Sequence, residues 1–272
     1  MEHDLNSAAW YSHGNILYGL GHYEGAIAGY DRVLATQSDL CEVWTNRGYA
    51  LENLSRYQEA LASFEQALGI HPEFALAWHG KGIVLAKLGR YDDALISFNK
   101  TLRLTPGDLK AHYNQGNALA HLQRYEEALA SFDRVIESNP ADYKAWYSRS
   151  KVLTSLNRLS LALASLDQTL TINPSCYYAW NYRGTVLTKM GEYDDAIASF
   201  DQSLQSKPNN PDAWYSKARC YALKGDTQLA LNYLQRAIKL NPPLYRALAK
   251  GDNHFQAILQ TQQLQVILQR QE

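Results

Sequence analysis

The stretch ALAWHGKGIVLAKLGRYDDALISFNKTLRLTPGD, residues 75–108, decides the fold. Its first half sets Trp78, the Lys81 stem, Gly82 and Leu85 at i, i+3, i+4 and i+7, one apolar stripe on a helix. Gly89 follows, a residue that can take the left-handed conformation that ends a helix. Tyr91-Asp92-Asp93 then opens a second helix, its acids placed to face the positive end of the helix dipole. Pro106 stops that helix, because proline cannot continue it. The stretch therefore reads helix, turn, helix.

Working outward, the same pattern recurs every 34 residues, and a period of that length must be settled before individual elements are assigned. Trp10, Trp44, Trp78, Trp146, Trp180 and Trp214 share one register, and its single gap holds His112. Small residues follow four places later at Gly14, Gly48, Gly82, Gly116, Ser150, Gly184 and Ala218. An alanine recurs at Ala26, Ala60, Ala94, Ala128, Ala162, Ala196 and Ala230. Four residues after each stands Tyr30, Phe64, Phe98, Phe132, Leu166, Phe200 or Leu234. Prolines fall only in the junctions. Small residues on both helices let two backbones approach closely under an aromatic cover.

The chain has 272 residues, with 26 Lys+Arg against 27 Asp+Glu and a formal net charge of −1. That balance speaks against a nucleic-acid binder, which needs a basic surface. Apolar runs are too short for a membrane span, and residues Met1 to Asn6 lack the basic and apolar regions of a secretory signal. Cys41, Cys176 and Cys220 are scattered, with no pair at CxxC spacing, so neither a disulfide framework nor a zinc site is expected. A cytoplasmic location is the expectation.

The repeat resembles the tetratricopeptide pattern, W-x2-[LKR]-G-x2-[LY]…A-x3-F…P. The resemblance implies an all-α fold, an α-solenoid of antiparallel helix pairs in a right-handed superhelix, helix A on the concave face and helix B on the convex one. Residues 1–6 are then an N-terminal extension. Seven repeats occupy 7–244, at 7–40, 41–74, 75–108, 109–142, 143–176, 177–210 and 211–244, and 245–272 is a C-terminal amphipathic cap. In the cap Phe255/Ile258/Leu259 and Leu264/Ile267/Leu268 form apolar stripes. A solenoid end needs such covering, although a Leu- and Gln-rich helix also suits docking to a partner. This segment resembles the ALAK-D-x-x-F-x-x-I-L endings of bacterial, notably cyanobacterial, tetratricopeptide proteins. His112 reads as a packing residue, and Ser150, Leu159 and Leu166 make the fifth repeat a soft point.

Catalytic motifs are missing: there is no phosphate loop, HExxH or GxSxG stretch. Gly19 to Gly25 imitates a dinucleotide fingerprint but has one residue too many and follows a helix. The acid pairs of helix B are dipole partners, not a general acid and base. Cys41, at a helix N-terminus, is either a reactive thiol or a plain free one, and the second reading is preferred. No enzyme activity, cofactor or metal is expected.

Function is sought on the concave face, where the family resemblance places repeat positions 2, 5, 6, 9, 12 and 13. The candidate peptide-binding residues are Tyr49, Lys87, Lys110, Tyr113, Asn114, Asn117, Lys144, Tyr147, Lys151, Tyr178, Asn181, Tyr182, Lys189, Tyr215 and Arg219; Tyr11 and Tyr18 share the face. Six cations, in repeats three to seven, outweigh the acids Glu42, Glu52 and Asp212. Tyrosine offers apolar area with a hydrogen-bonding tip, asparagine grips an extended backbone, and lysine favours carboxylates or phosphates. The carboxylate-holding set of chaperone-binding tetratricopeptide domains does not fit, since Tyr113, Ser148 and Tyr178 stand at its positions. Asn46 and Asn114 match the asparagine ladder of O-GlcNAc transferases, but Ser12, Gly80, Ser148, Tyr182 and Ser216 interrupt it. The expected function is a non-enzymatic scaffold whose groove, across repeats three to seven, holds an extended acidic or polar segment of a protein partner. The alternatives are a structural solenoid that self-assembles into homo-oligomers through its ends, and an assembly-factor arm of a larger complex, such as one for photosystem biogenesis.

Overall fold

A computed structural model of the chain describes residues 2–255, with side chains from residue 7. The tail stripes Ile258/Leu259 and Leu264/Ile267/Leu268 lie outside the described residues. Within them every regular element is helical. The helices alternate as A and B: α1 Glu2–Gly19 with α2 Tyr23–Leu34, α3 Cys41–Asn53 with α4 Tyr57–Ile70, α5 Ala75–Lys87 with α6 Tyr91–Leu104, and α7 Leu109–His121 with α8 Tyr125–Ser138. Then come α9 Tyr143–Ser155 with α10 Leu159–Ile172, α11 Tyr177–Met190 with α12 Tyr193–Ser206, and α13 Pro211–Leu223 with α14 Thr227–Leu240. Helix α15, Pro242–Gly251, and a 3₁₀ turn at Asn253–Phe255 follow. Helix α1 thus begins inside the stretch read as an extension.

The chain divides into two compact bodies, one reaching Ser138 and carrying α1–α8, the other starting at Asn139. In each, a helix A packs on its own helix B, and that helix B on the next helix A. Consecutive A helices also touch, α1 on α3, α3 on α5 and α5 on α7 in the first body and α11 on α13 in the second. The A helices therefore line the tighter side of each stack.

Three features of the repeat produce this packing. At the A–B crossing the alanines of helix B are fully buried, as are Phe64, Phe98, Phe132, Leu166, Phe200 and Leu234. The glycines of helix A leave room for the rings: a Cβ on Gly48 would stand 2.8 Å from the Phe64 ring, and one on Gly184 2.5 Å from that of Phe200. Second, the repeat tryptophan latches the incoming junction. The indole Nε1–H of Trp78 donates to the Pro72 carbonyl at 2.8 Å, and Trp146, Trp180 and Trp214 do the same to Pro140, Pro174 and Pro208. His112 keeps this bond, its Nε2 reaching the Pro106 carbonyl at 3.0 Å, which fixes the proton on that nitrogen. So His112 replaces the latch as well as the packing. Third, the residue three places after the tryptophan ties neighbouring repeats: Arg183 reaches Asp167 of the preceding helix B and Ser199 of its own, each at 2.8 Å.

The fifth repeat exchanges volume instead of losing it. Ser150 carries a Cβ where its neighbours have none, Leu166 is narrower than a phenylalanine ring, and both are fully buried. The softness expected there finds no echo in the packing. The A–B turn places Gly21, Gly89, Gly191 and Gly225 at positive φ, and Ser55, Gln123 and Asn157 occupy the same slot at φ 57° to 60°. In those three repeats a side chain accepts a conformation that glycine adopts freely.

Removing a latch should be costly. Trp146→Ala deletes both the indole's packing and its bond to Pro140, so a loss of roughly 3–5 kcal/mol is expected in chemical denaturation. Unfolding as stable and as cooperative as that of the parent would contradict the register.

Candidate functional site

The site is built on the A helices, and their face is largely committed to holding neighbours. In the first body Tyr49 donates its hydroxyl to the Leu76 carbonyl at 3.0 Å and packs edge-on against Phe64. Burial pushes this phenol far above its ordinary range. Asn46 donates to the Tyr11 hydroxyl at 2.9 Å, and Asn53 to that of Tyr18 at 3.3 Å. Asn114 donates to His79 Nε2 at 3.0 Å, which leaves the proton on Nδ1, 3.9 Å from Asp108. Burial lowers the pKa of His79 and keeps it neutral. Lys87 is ion-paired with Glu52 of the preceding A helix and lies over the Tyr57 ring. Of the candidates there, Lys110 is exposed and has no ion pair among the described residues, while Tyr113 lies against Phe132 at 5.8 Å.

The second body differs. Tyr147 meets Tyr178 at 4.8 Å and Tyr182 at 5.8 Å between ring centroids, an aromatic cluster across two A helices. Burial raises the phenols of Tyr178 and Tyr182. Around the cluster Lys144, Lys151 and Lys189 are exposed, and none makes an ion pair among the described residues. Asn181 adds a buried carbonyl oxygen, Oδ1, with no hydrogen-bond partner among the described residues. A buried acceptor in that state carries an unpaid desolvation cost of about 1–3 kcal/mol. It suits an N–H donor arriving from outside.

At the end of this body the chain covers its own face. Asp252 accepts from the Tyr215 hydroxyl at 2.9 Å and lies 3.6 Å from Arg219, and Phe255, fully buried, packs on the Tyr215 ring. Tyr245 donates to Asp212, one of the acids counted on the concave face. Tyr215 and Arg219, read as free binding residues, are therefore held by the tail. His254 Nδ1 is 2.6 Å from Asp252 Oδ1 and 3.2 Å from Arg219 Nε. One nitrogen cannot donate to the first and accept from the second, and the shorter, charge-assisted contact prevails.

Two pockets of about 230 Å³ lie on the A-helix side, one in each body. They use the same repeat positions three repeats apart: Lys87, Tyr91, Phe98, Asn114 and Asn117 in the first body, Lys189, Tyr193, Phe200, Ser216 and Arg219 in the second. In the first, His121 stacks flat on Tyr91 at 4.4 Å. Sequence reasoning had not singled out Tyr193, Ser216 or His254, because this pocket needs two A helices, one B helix and the tail together.

The periodic latch, the glycine-aromatic crossing and the paired helices match one family. A tetratricopeptide repeat model covers residues 45–109, 113–175, 147–211 and 183–245, most of the chain. The chain belongs to the tetratricopeptide repeat family. Tetratricopeptide arrays are protein-interaction scaffolds, and the chain has that architecture. YrrB, a tetratricopeptide protein of solved structure, is 26% identical over 70% of this chain and 98% of its own, with a TM-score of 0.56. A tetratricopeptide protein from Parabacteroides merdae shares the fold at a TM-score of 0.71 and 17% identity, over 90% of this chain and 98% of its own. PilF of Pseudomonas aeruginosa does so at 0.65 and 18%, over 78% of this chain and 97% of its own. No curated protein matches by sequence.

Other chemistry finds little footing. Cys41, Cys176 and Cys220 are free and buried, and burial pushes the Cys41 and Cys220 thiols up. A reactive Cys41 is thereby set aside, since the thiolate is the nucleophile. Among the described residues no three His, Cys, Asp or Glu side chains group as metal ligands, and no helix is long and apolar enough to cross a membrane.

Asp252 makes the tail contact pH-dependent. Burial raises its pKa, yet the His254 amide and ring, the Tyr215 hydroxyl and Arg219 together hold it below the usual value. A carboxylate depressed in the folded state stabilises above its unfolded pKa, near 4, and that stability is lost as pH falls through the lower folded value. Asp252→Asn should therefore lower Tm at pH 7, with the gap from the parent closing below about pH 4. A gap independent of pH would contradict the assignment.

Proposed function

We propose that the chain is a non-enzymatic scaffold and that the A-helix face of its second body holds an extended acidic segment of a protein partner. The observation that carries this reading is the charge left over. Lys87 and Arg219 have acidic neighbours in Glu52 and Asp252, whereas Lys144, Lys151 and Lys189 are exposed and without a carboxylate among the described residues. They border the Tyr147, Tyr178 and Tyr182 cluster, which offers apolar area and hydroxyl tips. The orphan carbonyl oxygen of Asn181 supports an extended ligand, whose backbone supplies N–H donors along its length. Lys110 adds a further exposed cation on the first body. YrrB, the relative at 26% identity, is described as a tetratricopeptide protein with an unusual peptide-binding site, which favours a peptide ligand here.

An array of extended peptides about ten residues long, graded in Asp and Glu content, tests the reading. The parent protein should retain acidic members selectively, and less of them as salt rises. Lys144→Glu with Lys151→Glu should cut that retention at least about tenfold with helical content unchanged, because both side chains are exposed. Equal retention of neutral and acidic peptides, or an unaffected double variant, would refute it.

A further inference from the structure

The pocket of the second body is polar where its counterpart is not. Both share the lysine, the tyrosine at the start of helix B and the phenylalanine floor. In the first body Lys87 is neutralised by Glu52, and Asn117 stands opposite. In the second, Thr154 occupies the position of Glu52, so Lys189 has no such carboxylate, and Arg219 replaces Asn117. The tail adds His254 to this lining. Its Nδ1–H is taken by Asp252, which orients the ring and leaves Nε2 as its other polar edge.

The hydroxyls sort in the same way. Thr185 and Thr188 donate to their own helix, to the Asn181 and Gly184 carbonyls. Ser216 and Tyr193 line the pocket with no hydrogen-bond partner among the described residues. The acid beside the pocket, Asp252, is engaged by Tyr215, Arg219 and His254. Two permanent cations, an imidazole and two hydroxyl donors therefore line one hollow of about 230 Å³. A carboxylate has one charge and two oxygens to offer such a set, whereas a phosphoryl monoester carries about −1.5 to −2 and three acceptor oxygens.

We infer that this pocket is an oxyanion subsite for the phosphoryl group of a phosphorylated side chain on the partner. The inference deepens the binding reading above by naming one group of the ligand. Inorganic phosphate probes the pocket alone, so its result stands whatever the peptide array gives.

The experiment titrates the full chain at pH 7 with inorganic phosphate at constant ionic strength, followed by amide and side-chain NMR shifts. Saturable shifts at Lys189, Ser216, Arg219 and His254 are expected, with a Kd on the order of millimolar. Lys189→Glu, a change at an exposed side chain, should weaken binding at least about tenfold. Ser216→Ala should weaken it by a smaller factor, and Lys87→Glu in the first body should leave it unchanged. Acetate should bind more weakly than phosphate. Acetate binding as tightly would overturn the phosphoryl assignment, and the inference fails if phosphate gives no saturable shifts or Lys189→Glu binds it as the parent does.

Discussion

The closeness of helices A and B is the constraint on which the rest of the structure depends. Where the two cross, one helix presents hydrogen in place of a side chain and the other lays an aromatic ring against that bare backbone. The limit is set by hard contact, since a Cβ on Gly82 would stand 2.6 Å from the Phe98 ring and one on Gly116 2.8 Å from that of Phe132. Once the crossing is fixed, the buried alanine, the junction latch and the next helix A follow at one spacing. Each repeat covers only its neighbours, as a one-dimensional stack requires. The Ser150 and Leu166 pair obeys the same rule with its terms exchanged, the larger residue on one helix matched by the smaller on the other.

This packing determines what is left for function. Contacts between successive A helices consume much of the polar face: Asn46 with Tyr11, Asn114 with His79, Lys87 with Glu52, Tyr215 with Asp252. They are intramolecular and hold the curvature of each body. The lysines left exposed on the second body and the buried oxygen of Asn181 are different in kind, because the described residues supply no partner for them. A scaffold reading rests on that remainder and not on the whole face.

Nearly all of the fold was legible in the sequence, because its rules are carried by residue types that have few other uses. Tryptophan, glycine, alanine, phenylalanine and proline each mark a fixed position, and the helices fall between them. The αL slot was legible at Gly21, Gly89, Gly191 and Gly225, and hidden at Ser55, Gln123 and Asn157, where tertiary packing holds a side chain in an uncommon conformation. The role of His112 was half visible: its packing followed from the register, but its bond to Pro106 follows from a ring nitrogen reaching the place of the indole N–H. On the concave face the sequence located the columns correctly but could not tell which side chains meet. Lys87 and Glu52 are 35 positions apart, as are Asn114 and His79, and such pairs depend on how successive repeats are offset. The pocket near His254 was out of reach for the same reason, since the tail returns to a helix that precedes it in the chain.

The central claim, that the bare crossing on helix A and the ring on helix B are one unit, is tested most directly by a double-mutant cycle on Gly184 and Phe200 in chemical denaturation. Gly184→Ala should cost roughly 1–3 kcal/mol, because the added methyl meets the ring. Combined with Phe200→Leu, which imitates the natural pairing of the fifth repeat, it should cost less than the two single changes together by about 1 kcal/mol or more. A neutral Gly184→Ala, or two costs that simply add, would contradict the account.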